Sequence, residues 1–110
     1  GRAYVAELTR EAEAASGTEA GALWNRAMHV HHTLADAAAA LAAARNAVAA
    51  APNHYEHHAA LAQRLSVSGH IAEAEAEWQW CLRRRPNDPQ VREKLASLAR
   101  VRYSTEGVPR

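Results

Sequence analysis

Histidine is the residue type whose number and spacing in this sequence could support chemistry. Six of the seven histidines fall in two short clusters, at residues 29–32 and 54–58. Within each cluster, a spacing of three or four residues puts imidazoles on one face of a helix. Neutral imidazole binds zinc, copper or nickel, so a metal site made by His32, His57 and His58 is one interpretation. Because the chain has one cysteine and no HExxH motif, we favour the alternative, in which these histidines are groove and core residues and no metal or other cofactor is bound.

Residues of other types lack the spacing that catalysis needs. The sequence has no glycine-rich phosphate-binding loop and no GxSxG motif. Glu73, Glu75 and Glu77 alternate with alanine, so they do not share one helix face as a triplet and are expected to be solvated. Cys81 is the single cysteine and is expected to be inert. We therefore expect that the chain is not an enzyme.

Composition narrows the classes of partner. A formal net charge of +1 provides no large field for nucleic acid, and no apolar segment is long enough to insert into a membrane. A single cysteine forms no internal disulfide and leaves the localisation undetermined, although the absence of a signal pattern favours the cytoplasm. Because Gly1 is not an initiator, we expect a processed chain or a fragment. The high alanine and arginine content is typical of a GC-rich bacterial genome.

The elements that must position these residues are helices. Alanine is the best helix former, and no segment alternates in polarity as a strand does. Pro52 and Pro86 each end a helix, because proline lacks an N–H and clashes with the preceding turn. Asp36, Asn53 and Asp88 are expected to cap the helices that follow them by accepting backbone N–H bonds.

Glycine and polar residues mark the remaining boundaries. Residues 16–18 are expected to close the first helix, and Gly69 can adopt the left-handed conformation that ends another. Residues 104–110 are expected to be a flexible tail. The predicted helices are 2–15, 22–34, 36–51, 55–67, 71–84 and 89–102.

Two segments of the sequence share a pattern at a spacing of 34 residues. Pro52-Asn53 and Pro86-Asn87 are separated by that distance, and helix–turn–helix units precede both prolines. This period resembles the tetratricopeptide repeat, whose pattern is a leading Trp, a Leu-Gly pair, a Tyr, an Ala with an aromatic residue four positions later, and a Pro. The residues that carry the resemblance are Leu61, Leu65, Gly69, Ala74, Trp78 and Pro86 in the second segment, and Trp24, Ala40 and Pro52 in the first.

Two histidines occupy positions where the repeat has aromatic residues. His58 replaces the leading Trp of the second segment, and His31 replaces the Tyr of the first. The resemblance implies an all-α fold, an α-solenoid of antiparallel helix pairs. Its parts would be a flanking helix at 1–20, repeats at 21–54 and 55–88, a capping helix at 89–103, and the tail. An alanine-rich helical bundle with a coincidental spacing is the alternative.

The resemblance also implies a function, which is to bind another protein or a peptide. The first helix of each pair would line a concave groove, and the chain would act as a scaffold or interaction module. The residues expected to line that groove are Asn25, Arg26, His29, His32, Gln63 and Lys94.

Trp80 is the candidate for a second interface. It lies two residues after Trp78, so it points away from the core face of the helix, and an exposed Trp often marks an interface. Alternatively it lies under the last helix. Trp80 and the small number of repeats, which is two, favour a self-associating assembly module, such as a homodimer, as the first alternative function. A histidine-based metal or ligand binder is the second. The arginines at 83–85 are attributed to the dipole at the end of their helix.

Overall fold

The computed structural model describes residues 1–106, and this part of the chain consists of helices joined by short loops. Its six α-helices and lack of strands confirm the predicted all-α class for these residues. The helices are α1 Arg2–Ala14, α2 Gly17–Thr33, α3 Ala37–Ala50, α4 Tyr55–Val67, α5 Ile71–Arg84 and α6 Pro89–Glu106.

Local chemistry sets most of the helix boundaries. The Oδ1 atom of Asp36 accepts the backbone N–H of Ala39 at 3.1 Å, and that of Asp88 accepts the backbone N–H of Gln90 at 2.9 Å. Both aspartates therefore satisfy donors that a helix start leaves unpaired, as expected. Gly69 follows α4 with φ of +83°, in the left-handed region that a residue with a side chain rarely enters.

Two predicted boundaries are wrong. Asn53 does not cap α4, because the residue at that position is His54, whose side chain makes no capping hydrogen bond. The predicted break at 16–18 is shorter than expected, since α2 begins at Gly17. The additional first turn of α2 is retained because Ala20 and Gly21 are buried in the interior.

The last helix is also longer than expected. Residues 104–106 of the predicted tail continue α6, and the rest of that tail, 107–110, lies outside the described residues. An ion pair between Arg102 and Glu75 at 3.0 Å joins the end of α6 to α5. This contact lies beyond the range of any local sequence pattern.

Neighbouring helices in the sequence are also neighbours in space. Each helix packs against the next, and the short loops make consecutive helices antiparallel. The start of α2 also meets the start of α4, where Gly21 approaches the ring of His57. The ends of the same two helices meet where Arg64 contacts His32. Therefore α2 and α4 run in the same direction and touch near both ends.

Alanine forms most of the contact surface between helices. The small side chain lets two helix axes approach closely, and the closest approaches exclude solvent fully at Ala27, Ala40, Ala62 and Ala74. Larger side chains fill the wider gaps between them, namely Leu8, Met28, Leu61, Leu65 and Trp78. Within residues 1–106, no helix combines the length and the apolar character that crossing a bilayer requires.

Candidate functional site

The residues predicted to line a groove lie on α2, α4 and α6. On α2, the side chains of Arg26, His29 and His32 are exposed and that of Asn25 is half-buried. Gln63 of α4 is half-buried. Lys94 of α6 is exposed and lines an open cleft of about 450 Å³ together with Pro89, Gln90 and Glu93.

One contact joins two of the predicted helices across this face. The guanidinium of Arg64 donates to Nδ1 of His32 at 2.8 Å. Because arginine has no acceptor, Nδ1 of His32 must accept, and the imidazole is therefore the neutral tautomer with its proton on Nε2. Sequence reasoning missed Arg64, although its separation of 32 residues from His32 is close to the repeat period.

The three imidazoles considered as metal ligands do not come together. His57 lies beside Gly21 at the start of α2, whereas His32 is eleven residues farther along that helix, about 16 Å away at the helical rise. Within residues 1–106, no three side chains of His, Cys, Asp or Glu are close enough to hold one metal ion. The parallel packing of α2 and α4 is the reason, because it separates the two histidine clusters along the helix axes.

His57 is a buried imidazole without a partner for one of its nitrogens. The residue is 3% exposed, and its Nδ1 makes no hydrogen bond. Its ring stacks on that of His54, with centroids 4.0 Å apart. Burial lowers the pKa of His57, and the nearby His54 and His58 lower it further, while Glu56 acts in the opposite direction. His57 is therefore a core residue that resists protonation.

His58 is buried between two oxygen atoms. Its Nε2 lies 2.6 Å from the carbonyl oxygen of Pro52, and its Nδ1 lies 2.6 Å from Oε1 of Glu77. A carbonyl oxygen only accepts, so Nε2 carries a proton, and the contact with Glu77 needs a second proton between nitrogen and carboxylate. An imidazolium paired with a carboxylate satisfies both contacts.

The expectation of three solvated glutamates is wrong for two of them. The side chain of Glu77 is 24% exposed and faces His58, and that of Glu75 is 14% exposed and pairs with Arg102. Glu73 is exposed as expected and bonds the guanidinium of Arg45 at 2.9 Å, which joins α3 to α5. Sequence spacing gave the positions of these carboxylates on α5 but not the partners on neighbouring helices.

Trp80 is neither a freely exposed ring nor an isolated one. The ring of His58 stacks on it with centroids 3.6 Å apart, and the guanidinium carbon of Arg84 lies 3.6 Å from its centroid. Two groups this close cannot share one face of the indole, so they cover opposite faces. The ring of Trp80 is therefore not freely exposed, and its role in an interface stays a prediction.

A second arginine–aromatic pair adjoins the first. The guanidinium of Arg85 lies 3.6 Å from the centroid of the Tyr55 ring, and the rings of Tyr55 and Trp80 are 6.2 Å apart. Arg85 also donates to Glu56 at 3.3 Å. Burial raises the pKa of the Tyr55 phenol, so it stays protonated at neutral pH.

Cys81 lies in the interior beneath this cluster. Burial, with a further contribution from Glu77, raises the pKa of its thiol to about 11. The reactive form of cysteine is the thiolate, which is scarce at neutral pH when the pKa is this high. The side chain therefore acts as a small apolar packing group.

Comparison with known proteins gives no family for this chain. No family model, no curated protein and no solved structure matches it. The resemblance to the tetratricopeptide repeat therefore rests on the residues and helix contacts of the chain itself.

Proposed function

We propose that this chain is a tetratricopeptide-like interaction module that binds a peptide or helix of another protein in a groove lined by α2, α4 and α6. The observation that carries the proposal is the parallel contact of α2 with α4 at both ends, at Gly21–His57 and at His32–Arg64. In a stack of antiparallel helix pairs, the first helices of successive pairs run parallel in one layer. The Arg45–Glu73 bridge between α3 and α5 is the corresponding contact in the other layer.

The exposed side chains of α2 and α6 suit recognition of a polar peptide. Arg26 and Lys94 supply cations, and Asn25 supplies an amide that both donates and accepts. Arg64 and His32 fix one another by their hydrogen bond, so part of the groove wall is ordered before a partner arrives. An ordered wall lowers the entropy that binding costs.

The test is selection of peptides from a random displayed library on the wild-type chain, followed by calorimetry on the selected sequences. A variant with Asn25, Arg26 and Lys94 all replaced by Ala should bind those peptides about tenfold more weakly or worse, because it loses several charge-assisted contacts. Its circular dichroism and melting temperature should match the wild type, since Arg26 and Lys94 are exposed and the half-buried Asn25 does not belong to the core.

A matched control removes the same charge and one amide elsewhere. In that variant, Arg2, Arg10 and Asn46, all exposed on α1 and α3, are replaced by Ala. Its affinity should stay within about twofold of the wild type, because these side chains lie on α1 and α3, outside the proposed groove, and contacts between exposed charges contribute little. Equal weakening in both variants, or unchanged affinity in the groove variant, would disprove a groove at these residues.

A further inference from the structure

The start of α4 and the end of α5 form an arginine–aromatic patch, which we define as Tyr55, Trp80, Arg84 and Arg85. In this patch the guanidinium carbon of each arginine lies over one aromatic ring, 3.6 Å from its centroid, and the two rings are neighbours. Trp80 is held from its other face by His58, which is itself fixed between Pro52 and Glu77. The Trp80 ring on which Arg84 stacks is therefore held in place by these contacts.

The helix dipole does not account for the position of Arg84. A cation that neutralises the dipole lies beside the last carbonyl groups of the helix. The side chain of Arg84 instead extends back along α5 and covers Trp80, one turn towards the start of the helix. Stacking on Trp80 fixes the plane of the guanidinium and directs its N–H donors outwards at the edges of that plane.

These donors have no hydrogen-bond partner in the part of the chain that the structure describes. None of the described residues hydrogen-bonds or pairs with the guanidinium of Arg84, which is exposed. Arg85 uses one nitrogen for Glu56, and its side chain remains 52% exposed. An arginine that is ordered by stacking and free at its edges has already lost the side-chain entropy that binding an acceptor would cost.

The surroundings of the patch are positively charged although the chain as a whole is nearly neutral. Arg83 precedes the patch residue Arg84 in sequence. Arg92 of α6 donates a hydrogen bond to the carbonyl oxygen of Pro86, in the loop that follows α5. Nearby carboxylates are those of Glu56, Asp88 and Glu77, and Glu77 is occupied by its contact with His58. Four arginines against three carboxylates form a local excess of positive charge in a chain whose formal net charge is only +1.

We infer that the arginine–aromatic patch binds an acidic segment of a partner polypeptide through carboxylates that meet the edges of Arg84 and Arg85. Guanidinium and carboxylate match in planar, bidentate geometry, which favours this acceptor at a fixed guanidinium. Nucleic acid fits less well, because phosphate backbones require a broad basic surface and this patch is bordered by Glu56 and Asp88. The inference does not depend on the groove, which contains none of these residues.

The probe for this patch is a short fluorescein-labelled peptide of alternating glutamate and serine, with blocked ends, measured by anisotropy at about 0.15 M salt. Arg84→Ala should raise its Kd about tenfold, because charge-assisted bonds to the fixed guanidinium are lost. Arg84→Lys should recover only part of the affinity, since lysine keeps the charge but lacks the planar fork. Both substitutions are at an exposed position, and circular dichroism checks that the fold is kept.

Arg10→Ala is the matched control, because Arg10 is an exposed residue of α1 and its replacement also removes one positive charge. Its Kd should remain within about twofold of the wild type. The inference is overturned if Arg10→Ala and Arg84→Ala weaken binding equally, or if the same peptide with glutamine in place of glutamate binds as tightly. It is also overturned if a single-stranded oligodeoxythymidylate of equal charge binds the patch more tightly, since the partner would then be a nucleic acid.

Discussion

His57 and His58 are consecutive and both buried, yet their hydrogen-bonding surroundings are opposite. His58 has an oxygen atom within hydrogen-bond distance of each ring nitrogen. His57 has no acceptor at Nδ1 and stacks on another imidazole, so its site disfavours the charge. Two neighbouring residues of one type thus have different roles, and the difference comes from the helices packed around them.

We predict that the contribution of His57 to folding stability decreases as pH falls below about 6.5, the ordinary histidine value. Its pKa is lowered in the folded chain, so the unfolded chain binds a proton first. The stability that the neutral ring contributes is therefore complete above pH 6.5 and is lost between there and the lowered pKa. Each pH unit in that window costs about 1.4 kcal/mol. Urea unfolding at a series of pH values measures the free energy of unfolding across this window.

His57→Leu isolates this residue from the other histidines. Leucine fills a similar volume and removes a buried nitrogen that lacks a partner, so the variant should have a flatter stability profile between pH 6.5 and 5. His29→Gln, at an exposed position, is the control and should keep the wild-type profile. A His57→Leu profile as steep as that of the wild type would assign the pH dependence to another group.

At the scale of helices, the approach of α2 to α4 depends on a missing side chain. A Cβ atom placed on Gly21 would lie 2.9 Å from Cβ of Ala51 and 2.9 Å from Nε2 of His57. Both contacts are closer than packed atoms tolerate, and Cβ of Ala51 cannot move without its backbone. Gly21 is therefore a contact residue between helices and has no need of left-handed geometry.

We predict that Gly21→Ala destabilises the chain by about 1–3 kcal/mol, the usual cost of overpacking a well-packed contact. Helix propensity alone would predict the opposite effect, because alanine stabilises a helix by about 1 kcal/mol relative to glycine. Ala22→Gly, at the adjacent exposed position, measures the propensity term within the same helix. Urea unfolding followed by circular dichroism gives both values. A stabilised Gly21→Ala chain would show that Gly21 is not in close contact with Ala51 and His57.

Helix boundaries were predictable from the sequence to the extent that local chemistry sets them. Prolines end α3 and α5, Asp36 and Asp88 cap the helices that follow, and Gly69 takes its left-handed turn. The extension of α6 beyond residue 102 to Glu106 was missed, because the local pattern placed the end of the helix earlier.

Side-chain partners across helices could not be predicted in the same way. The pairs His58–Glu77 and His32–Arg64 join residues 19 and 32 positions apart, and a periodic pattern assigns a face without naming the residue opposite. The groove residues remain a prediction. Trp80 was predicted to point away from the core face, but its ring packs against the core, and nothing local indicated that His58 and Arg84 would cover it.

At the scale of the whole molecule, the chain is elongated, with extents of 49 × 30 × 18 Å. Its main contacts join helices that are consecutive in sequence, so stability is carried from one helix pair to the next. The end helices α1 and α6 bury Val5, Leu8, Val91 and Leu98 against their neighbours. Each end helix is therefore packed against its neighbour through buried apolar side chains.

We predict that the chain is a monomer whose melting temperature does not depend on concentration. Among the described residues, the large apolar side chains left exposed are Tyr4, Val67, Val101 and Tyr103, which lie on three different helices and form no single broad patch. Sedimentation velocity over about a hundredfold range of concentration, with melting on the same samples, measures both properties. A dimer whose melting temperature rises with concentration would contradict the prediction and would favour self-association over a free groove. Tyr103→Ser, which removes the most exposed of these side chains, would then show whether α6 forms the interface.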